Sequence, residues 1–112
     1  MTLPRLIGMV HLGPLPGSPG YDGDLDSIIE SATTDASAIA EAGFDGIMVE
    51  NFGDAPFFAD DAPKVTIASL TTAVNAVYEA SRLPLGVNVL RNDGLGALAV
   101  AAATPATFIR VN

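Results

Sequence analysis

The sequence contains no cysteine, a single histidine and a single lysine among its 112 residues. Without cysteine, the chain can form neither a disulfide nor a thiolate metal site. With His11 as the only histidine, a zinc site built from three histidines is impossible within the chain. Lys64 falls in a predicted loop rather than on a strand, which argues against a Schiff-base lysine. These absences exclude several common kinds of catalytic centre.

Basic residues are also scarce. Five Lys and Arg residues stand against thirteen Asp and Glu, which gives a formal net charge of −8. Because nothing here could neutralise a phosphate backbone, this charge balance argues against nucleic acid as a partner. Asp outnumbers Glu by nine to four, and small residues are abundant. This composition is typical of proteins from a salt-rich cytoplasm, where screening tolerates many surface carboxylates. The alternative is an acidic mesophilic domain.

Long apolar runs are missing as well. No segment approaches the roughly 20 apolar residues that span a bilayer, although 49% of the residues are hydrophobic. That fraction indicates a globular domain rather than a disordered chain. The first five residues lead directly into a strand-like segment and lack the features of a signal peptide. We therefore expect a cytoplasmic protein.

Strand-like and helical segments alternate along the chain. Short apolar runs predict strands over 6–11, 45–50, 85–90 and 107–112, of the kind that parallel sheets bury on both faces. The first helix begins after Asp24, a predicted N-cap, and ends at Gly43. After a loop over 51–64, a second helix places Ile67, Leu70, Val74, Val77 and Tyr78 on one face. A third covers about 95–103, capped by Asn92 or Asp93.

This alternation indicates βαβ units, with four parallel strands and three intervening helices. Half of a (β/α)₈ barrel and a small doubly wound sheet both fit. The doubly wound fold normally has a G-x-G-x-x-G turn directly after its first strand, whereas residues 12–20 form a long, proline-rich turn without it. We therefore predict the N-terminal half of a (β/α)₈ barrel. Since the complete fold takes about 250 residues, residues 1–112 would form a partial barrel domain that lacks its C-terminal half.

Four segments resemble the BtpA/SgcQ family in the same order along the chain. They are IGMVHLGPLPGSP at 7–19, GFDGIMVENFGDAPF at 43–57, GVNVLRND at 86–93 and FIRVN at 108–112. The resemblance implies a fold similar to the phosphate-binding TIM barrels. Founding members of the family are implicated in photosystem I accumulation, while other members occur where no photosystem exists, and no reaction is firmly attached to the family. Members continue for about another half-barrel, which would include the loops after strands seven and eight that usually bind phosphate.

Polar side chains stand at the predicted C-terminal strand ends, where TIM barrels carry their active sites. His11 and Glu50 are the candidate catalytic residues. An imidazole exchanges protons near neutral pH, and a carboxylate that closes an apolar strand is costly to bury unpaired. Glu50 is alternatively a ligand for a divalent metal, or half of an ion pair with Arg91 or Arg110. His11 is alternatively a hydrogen-bonded structural residue.

A second set of polar residues is predicted to position the ligand. It comprises Asn51, Asn88, Arg91, Asn92, Arg110 and Asn112. The segment 91–93 is either an anion site at a helix N-terminus or a simple N-cap. The loop 52–61, with three carboxylates and three aromatic residues, is either a lid over the strand ends or an ordinary packed loop. It does not match an EF-hand, and no P-loop or other cofactor motif is evident.

Together these features predict a protein that binds or transforms a small metabolite, phosphorylated or not, at the C-terminal strand ends. One alternative is a non-enzymatic assembly or stability factor for a membrane complex, as the founding family members imply. Another is a barrel fragment with no activity of its own. The outer strands of such a fragment would be open edges that pair with other chains, so we expect a homo-oligomer.

Overall fold

The computed structural model describes residues 2–111 as a four-stranded parallel sheet with three helices. The strands lie in the order β1-β2-β3-β4. The elements are β1 (Ile7–His11), α1 (Leu25–Glu41), β2 (Gly46–Glu50), a short 3₁₀ helix (Phe52–Asp54), α2 (Lys64–Ser81), β3 (Leu85–Asn88), α3 (Gly94–Ala102) and β4 (Phe108–Arg110). This sequential parallel order is that of the first half of a (β/α)₈ barrel, which confirms the predicted fold class.

The first and third helices are capped as their sequences predict. An Asp24 carboxylate oxygen accepts a hydrogen bond from the backbone N–H of Ser27 at 3.0 Å, and Gly43 follows α1 with a φ of +86°. In α3, Asp93 rather than Asn92 is the N-cap, because its Oδ1 accepts from the N–H of Gly96 at 2.8 Å. Both helices therefore start on an aspartate that satisfies an otherwise unpaired donor.

Several boundaries differ from prediction: β4, predicted over 107–112, spans only Phe108–Arg110, and two other differences bear on the site. Lys64 is the first residue of α2 rather than the end of a loop, since Pro63 starts the first turn by accepting from the N–H of Thr66 at 3.0 Å. Strand β3 ends at Asn88, two residues before the predicted end at Leu90. Beyond Asn88, a side chain replaces the backbone pairing with β2. Asn51, which follows β2, hydrogen-bonds both the N–H and the carbonyl of Leu90.

The helices pack on one face of the sheet and leave the other face open. Strand residues such as Val10, Ile47, Val49, Leu85 and Val87 are fully buried with the inner faces of the helices in one core cluster. The alternate residues point to the opposite face. There Met9 is 41% exposed and lies outside that cluster. In a complete barrel this second face lines the interior.

The glycine at position 86 leaves room for a ring from β4 on the barrel-interior face, which is the face of the sheet opposite the helices. Gly86 lies beside Phe108 in the parallel register, and a Cβ atom there would overlap the Phe108 ring. The aromatic ring therefore occupies the space that a side chain on β3 would take.

Within residues 2–111, no helix combines the length and the apolar character needed to cross a membrane.

Candidate functional site

The last residues of the four strands form one row across the sheet. His11 ends β1, Glu50 ends β2, Asn88 ends β3 and Arg110 ends β4. The register pairs His11 with Glu50, Glu50 with Asn88, and Asn88 with Arg110. Because side chains alternate along a strand, all four share the barrel-interior face with Met9 and Phe108. The fold thus brings four predicted site residues to one level at the C-terminal edge of the sheet.

Glu50 lies at the centre of this row and is 5% exposed. Its Oε1 accepts a hydrogen bond from Asn88 Nδ2 at 3.0 Å and lies 3.4 Å from Arg110 Nη1. Its Oε2 lies 3.4 Å from His11 Nε2. A buried carboxylate is costly unless it is paired and hydrogen-bonded, and these three neighbours meet that need. Of the two arginines predicted as ion-pair partners, the structure pairs Glu50 with Arg110.

His11 is held from its other side by an aromatic ring. The His11 and Phe52 rings stack with their centroids 4.5 Å apart and their planes 11° from parallel. Phe52 reaches this position because the next residue, Gly53, donates its N–H to the carbonyl of Leu12 at 3.0 Å. A Cβ on Gly53 would lie 2.7 Å from that carbonyl oxygen, so glycine permits the close approach of the two loops. The His11 imidazole therefore lies between the Glu50 carboxylate and the Phe52 ring.

The row opens onto a cleft of about 510 Å³. This site cleft is lined by Met9, His11, Glu50, Phe52, Phe57, Asn88, Leu90, Arg91 and Arg110. Two arginines and one glutamate give the lining a net charge of +1, with histidine neutral, whereas the chain carries −8. Two of the five basic residues of the chain thus lie at this one concavity, which makes it suited to an anion.

Comparison with known proteins supports the resemblance seen in the sequence. The sequence model of the BtpA family matches residues 2–112. The chain belongs to the BtpA family. It is 60% identical over 109 residues to an uncharacterised protein of Thermococcus kodakarensis. It is 46% identical over 107 residues to the photosystem I biogenesis protein BtpA of Synechocystis, and 35% identical over 111 residues to the sgc region protein SgcQ of Escherichia coli.

These matches cover nearly all of the chain but less than half of each relative. They include 96% of this BtpA-family chain and 41% of the Thermococcus protein, 96% and 37% for the Synechocystis protein, and 97% and 41% for SgcQ. The chain therefore spans about two fifths of the length of these relatives. The four strands described here correspond to half of a (β/α)₈ barrel.

Not all of the predicted ligand-positioning residues reach the site cleft of this BtpA-family chain. Arg91 lines it, as do Asn88 and Arg110. Asn51 is 1% exposed and hydrogen-bonds Asp54 and the backbone of Leu90. Asn92 donates to Asp60 at 2.7 Å. Asn112 lies outside the described residues. The structure thus brings five of the eight predicted site residues together: His11, Glu50, Asn88, Arg91 and Arg110.

Two aromatic residues of the cleft were not predicted as site residues. Phe52 and Phe57 belong to the loop 52–61, which the sequence leaves as either a lid or a packed loop. The available signal was the position of Phe52 just after the polar end of β2, with Phe57 in the same loop. The buried Asp54 anchors this loop, because its Oδ1 accepts from the N–H of Leu15 at 2.8 Å. The loop thus contributes one wall of the cleft.

Among residues 2–111, no group of three or more His, Cys, Asp or Glu side chains comes together as a candidate metal site. Both Glu50 oxygens already face donors of the protein itself. The row is therefore a hydrogen-bonded network centred on Glu50.

Proposed function

We propose that this protein binds a small metabolite with a phosphate or other anionic group at the C-terminal strand ends. The observation that carries the proposal is the row His11–Glu50–Asn88–Arg110, which opens onto a positively charged cleft in an otherwise acidic chain. Concave sites at the C-terminal strand ends are where TIM-barrel proteins bind their ligands. Membership of the BtpA family supports the fold on which this argument depends.

The charged residues of the site cleft divide into two tasks in this proposal. Arg91 and Arg110 would hold the anionic group, since guanidinium groups pair with phosphate or carboxylate through two parallel hydrogen bonds. Glu50 and His11 would exchange protons with the rest of the ligand. Glu50 orients the imidazole from the Nε2 side, which leaves Nδ1 as the ring atom available to the ligand.

Anion binding to the purified chain tests this proposal. We expect inorganic phosphate, titrated calorimetrically at low ionic strength, to bind the wild type and to bind Arg110→Gln about tenfold more weakly, because a charge-assisted hydrogen bond is lost. Arg82→Gln is the matched control: the two arginine side chains are 59% and 64% exposed and each pairs with a glutamate. Equal weakening by both substitutions would show general charge attraction and contradict a site at Arg110.

A second candidate function comes from one relative. The protein of Synechocystis that is 46% identical to this chain is named a photosystem I biogenesis protein. By that analogy, this protein would assist the assembly of a membrane complex without catalysis. Affinity capture with the tagged chain from detergent-solubilised membranes distinguishes the two. Recovery of defined subunits of one membrane complex, unaffected by Arg110→Gln, would favour assembly, whereas phosphate binding that depends on Arg110 without such recovery favours metabolite binding.

A further inference from the structure

Asn88 has one hydrogen-bonding atom that the described part of the protein does not use. Its side chain is 1% exposed and its Nδ2 donates to Glu50 Oε1 at 3.0 Å. An ionised carboxylate can only accept hydrogen bonds, so the amide must present its NH₂ group to Glu50. The carbonyl oxygen, Oδ1, is left over, and within residues 2–111 it has no partner.

This unpaired oxygen is an unusual feature, because the large majority of buried side-chain polar atoms have a hydrogen-bond partner. Arg110, the neighbour of Asn88 in the register, directs Nη1 to Glu50 instead. Asn88 also lines the site cleft. Nδ2 of the amide is thus held by Glu50, and Oδ1 remains a buried, unused acceptor in a residue that lines the cleft.

We propose that the ligand carries a hydroxyl group that donates to Asn88 Oδ1, and that the ligand class is therefore hydroxylated anions of the polyol-phosphate type. This inference rests on the proposed function of the same cleft. A hydroxyl fits better than an ammonium group, because Arg91 and Arg110 give the lining a net positive charge that repels a cation. The anionic group would lie at the arginines, with a hydroxyl-bearing carbon within reach of Asn88.

The aromatic residues are consistent with a ligand of this kind. Phe52 is 54% exposed, and with Phe57 it forms an apolar part of the cleft wall. Such rings pack against the C–H groups of a carbon skeleton, while the polar row of the same cleft meets its hydroxyl and anionic groups. Ligand sites typically combine apolar lining with a few well-placed polar groups in this way.

Three phosphate compounds separate the parts of this inference. Glycerol 3-phosphate and n-propyl phosphate have the same phosphate and three carbons but differ in two hydroxyl groups, and inorganic phosphate reports the anion alone. We expect the wild type to bind glycerol 3-phosphate about tenfold more tightly than propyl phosphate, since a buried acceptor left unpaired penalises the ligand without a hydroxyl. In Asn88→Ala we expect this ratio to fall to about one. Asn75→Ala, at an exposed position on α2, should retain it.

The outcomes distinguish this inference from the proposed function. Equal binding of the two esters by the wild type, with both weakened by Arg110→Gln, overturns the hydroxyl contact and leaves the anion site intact. A preference that survives in Asn88→Ala also overturns the role of Asn88. Failure of all three compounds to bind overturns both proposals. Should Asn88→Ala unfold, the wild-type comparison of the two esters still tests the hydroxyl contact, because equal binding overturns that contact without any variant.

Discussion

The side chain of Asn51 makes the hydrogen bonds that a strand backbone would make at the point where β2 and β3 separate. Its Oδ1 accepts from the N–H of Leu90 at 2.6 Å and its Nδ2 donates to the carbonyl of Leu90 at 3.0 Å. The same Nδ2 reaches Asp54 at 3.2 Å. The side chain thus continues the pairing beyond Asn88, the last residue of β3, and connects the loop after β2 to the loop after β3. Both loops contribute residues to the site cleft.

We expect Asn51→Ala to lower the free energy of unfolding by about 2 to 4 kcal/mol, because it leaves the N–H and carbonyl of Leu90 without partners. Urea denaturation followed by circular dichroism measures the change. Asn75→Ala, at an exposed helix position, is the control and should stay within about 0.5 kcal/mol of the wild type. A loss from Asn51→Ala as small as that of the control would show that these hydrogen bonds contribute little.

Single residues of the row could be predicted from the sequence, but their contacts could not. His11 and Glu50 were identified as polar residues at the ends of apolar strands, and Asn88 and Arg110 as polar residues inside such strands. That all four lie at one level depends on the register between strands, which the sequence of each strand does not reveal. The stacking of Phe52 on His11 depends on how closely the loop at Gly53 approaches Leu12. Neither feature has a local sequence pattern.

At the scale of elements, α3 depends on its first residues more than the other helices do. It has nine residues, including Gly94 and Gly96, and each glycine costs about 1 kcal/mol relative to alanine in a helix interior. Asp93 compensates by capping the helix through Gly96 and by accepting from the N–H of Ala62 at 2.9 Å. The buried carboxylate thus joins α3 to the segment that precedes α2.

We expect Asp93→Ala to destabilise the fold by about 2 to 4 kcal/mol, from the lost cap and the unpaired N–H of Ala62. Asp24→Ala is the matched control, since Asp24 caps α1 through Ser27 at an exposed position. It should cost about 1 kcal/mol. Guanidinium denaturation of both variants gives the comparison, and equal losses would contradict a separate contribution from the bond to Ala62.

The elements themselves were largely predictable, and the exceptions have local causes. Alternating apolar runs and helical stripes located all four strands and three helices, because parallel strands and their crossover helices have distinct periods. The predicted end of β3 was wrong because the apolar residues Val89 and Leu90 continue the pattern, whereas Asn51 replaces the strand pairing there. The predicted start of α2 came too late, because a proline such as Pro63 is as compatible with the end of a loop as with the start of a helix.

At the scale of the molecule, the sheet has two features that a closed barrel removes. In the part of the chain described, β1 and β4 each pair with one neighbouring strand, which leaves unpaired backbone groups on their outer sides. The barrel-interior face also exposes Met9. Open edges and exposed apolar faces favour pairing with another chain. The net charge of −8 opposes such pairing through electrostatic repulsion.

We therefore expect the 112-residue chain to self-associate, and to do so more strongly in molar salt than at low salt. The Debye length falls from about 10 Å at 0.1 M to about 3 Å at 1 M, so salt weakens the repulsion between acidic surfaces without weakening apolar contact. Multi-angle light scattering at several protein concentrations measures the mass under each condition. Association that decreases with salt would point instead to contacts between opposite charges.

One variant decides whether the barrel-interior face drives this association. Met9→Lys places a charge on that face. Because Met9 is 41% exposed and outside the core cluster, we expect the melting temperature of the variant to change little. We expect the dissociation constant of the oligomer to rise at least about tenfold. Leu95→Lys on α3 is the matched control, since Leu95 is 83% exposed on the opposite side of the sheet. If Leu95→Lys disrupts association and Met9→Lys does not, the helical layer is the contact surface. The barrel-interior face, with the site cleft at the C-terminal edge of the sheet, would then remain open to ligands even in the oligomer.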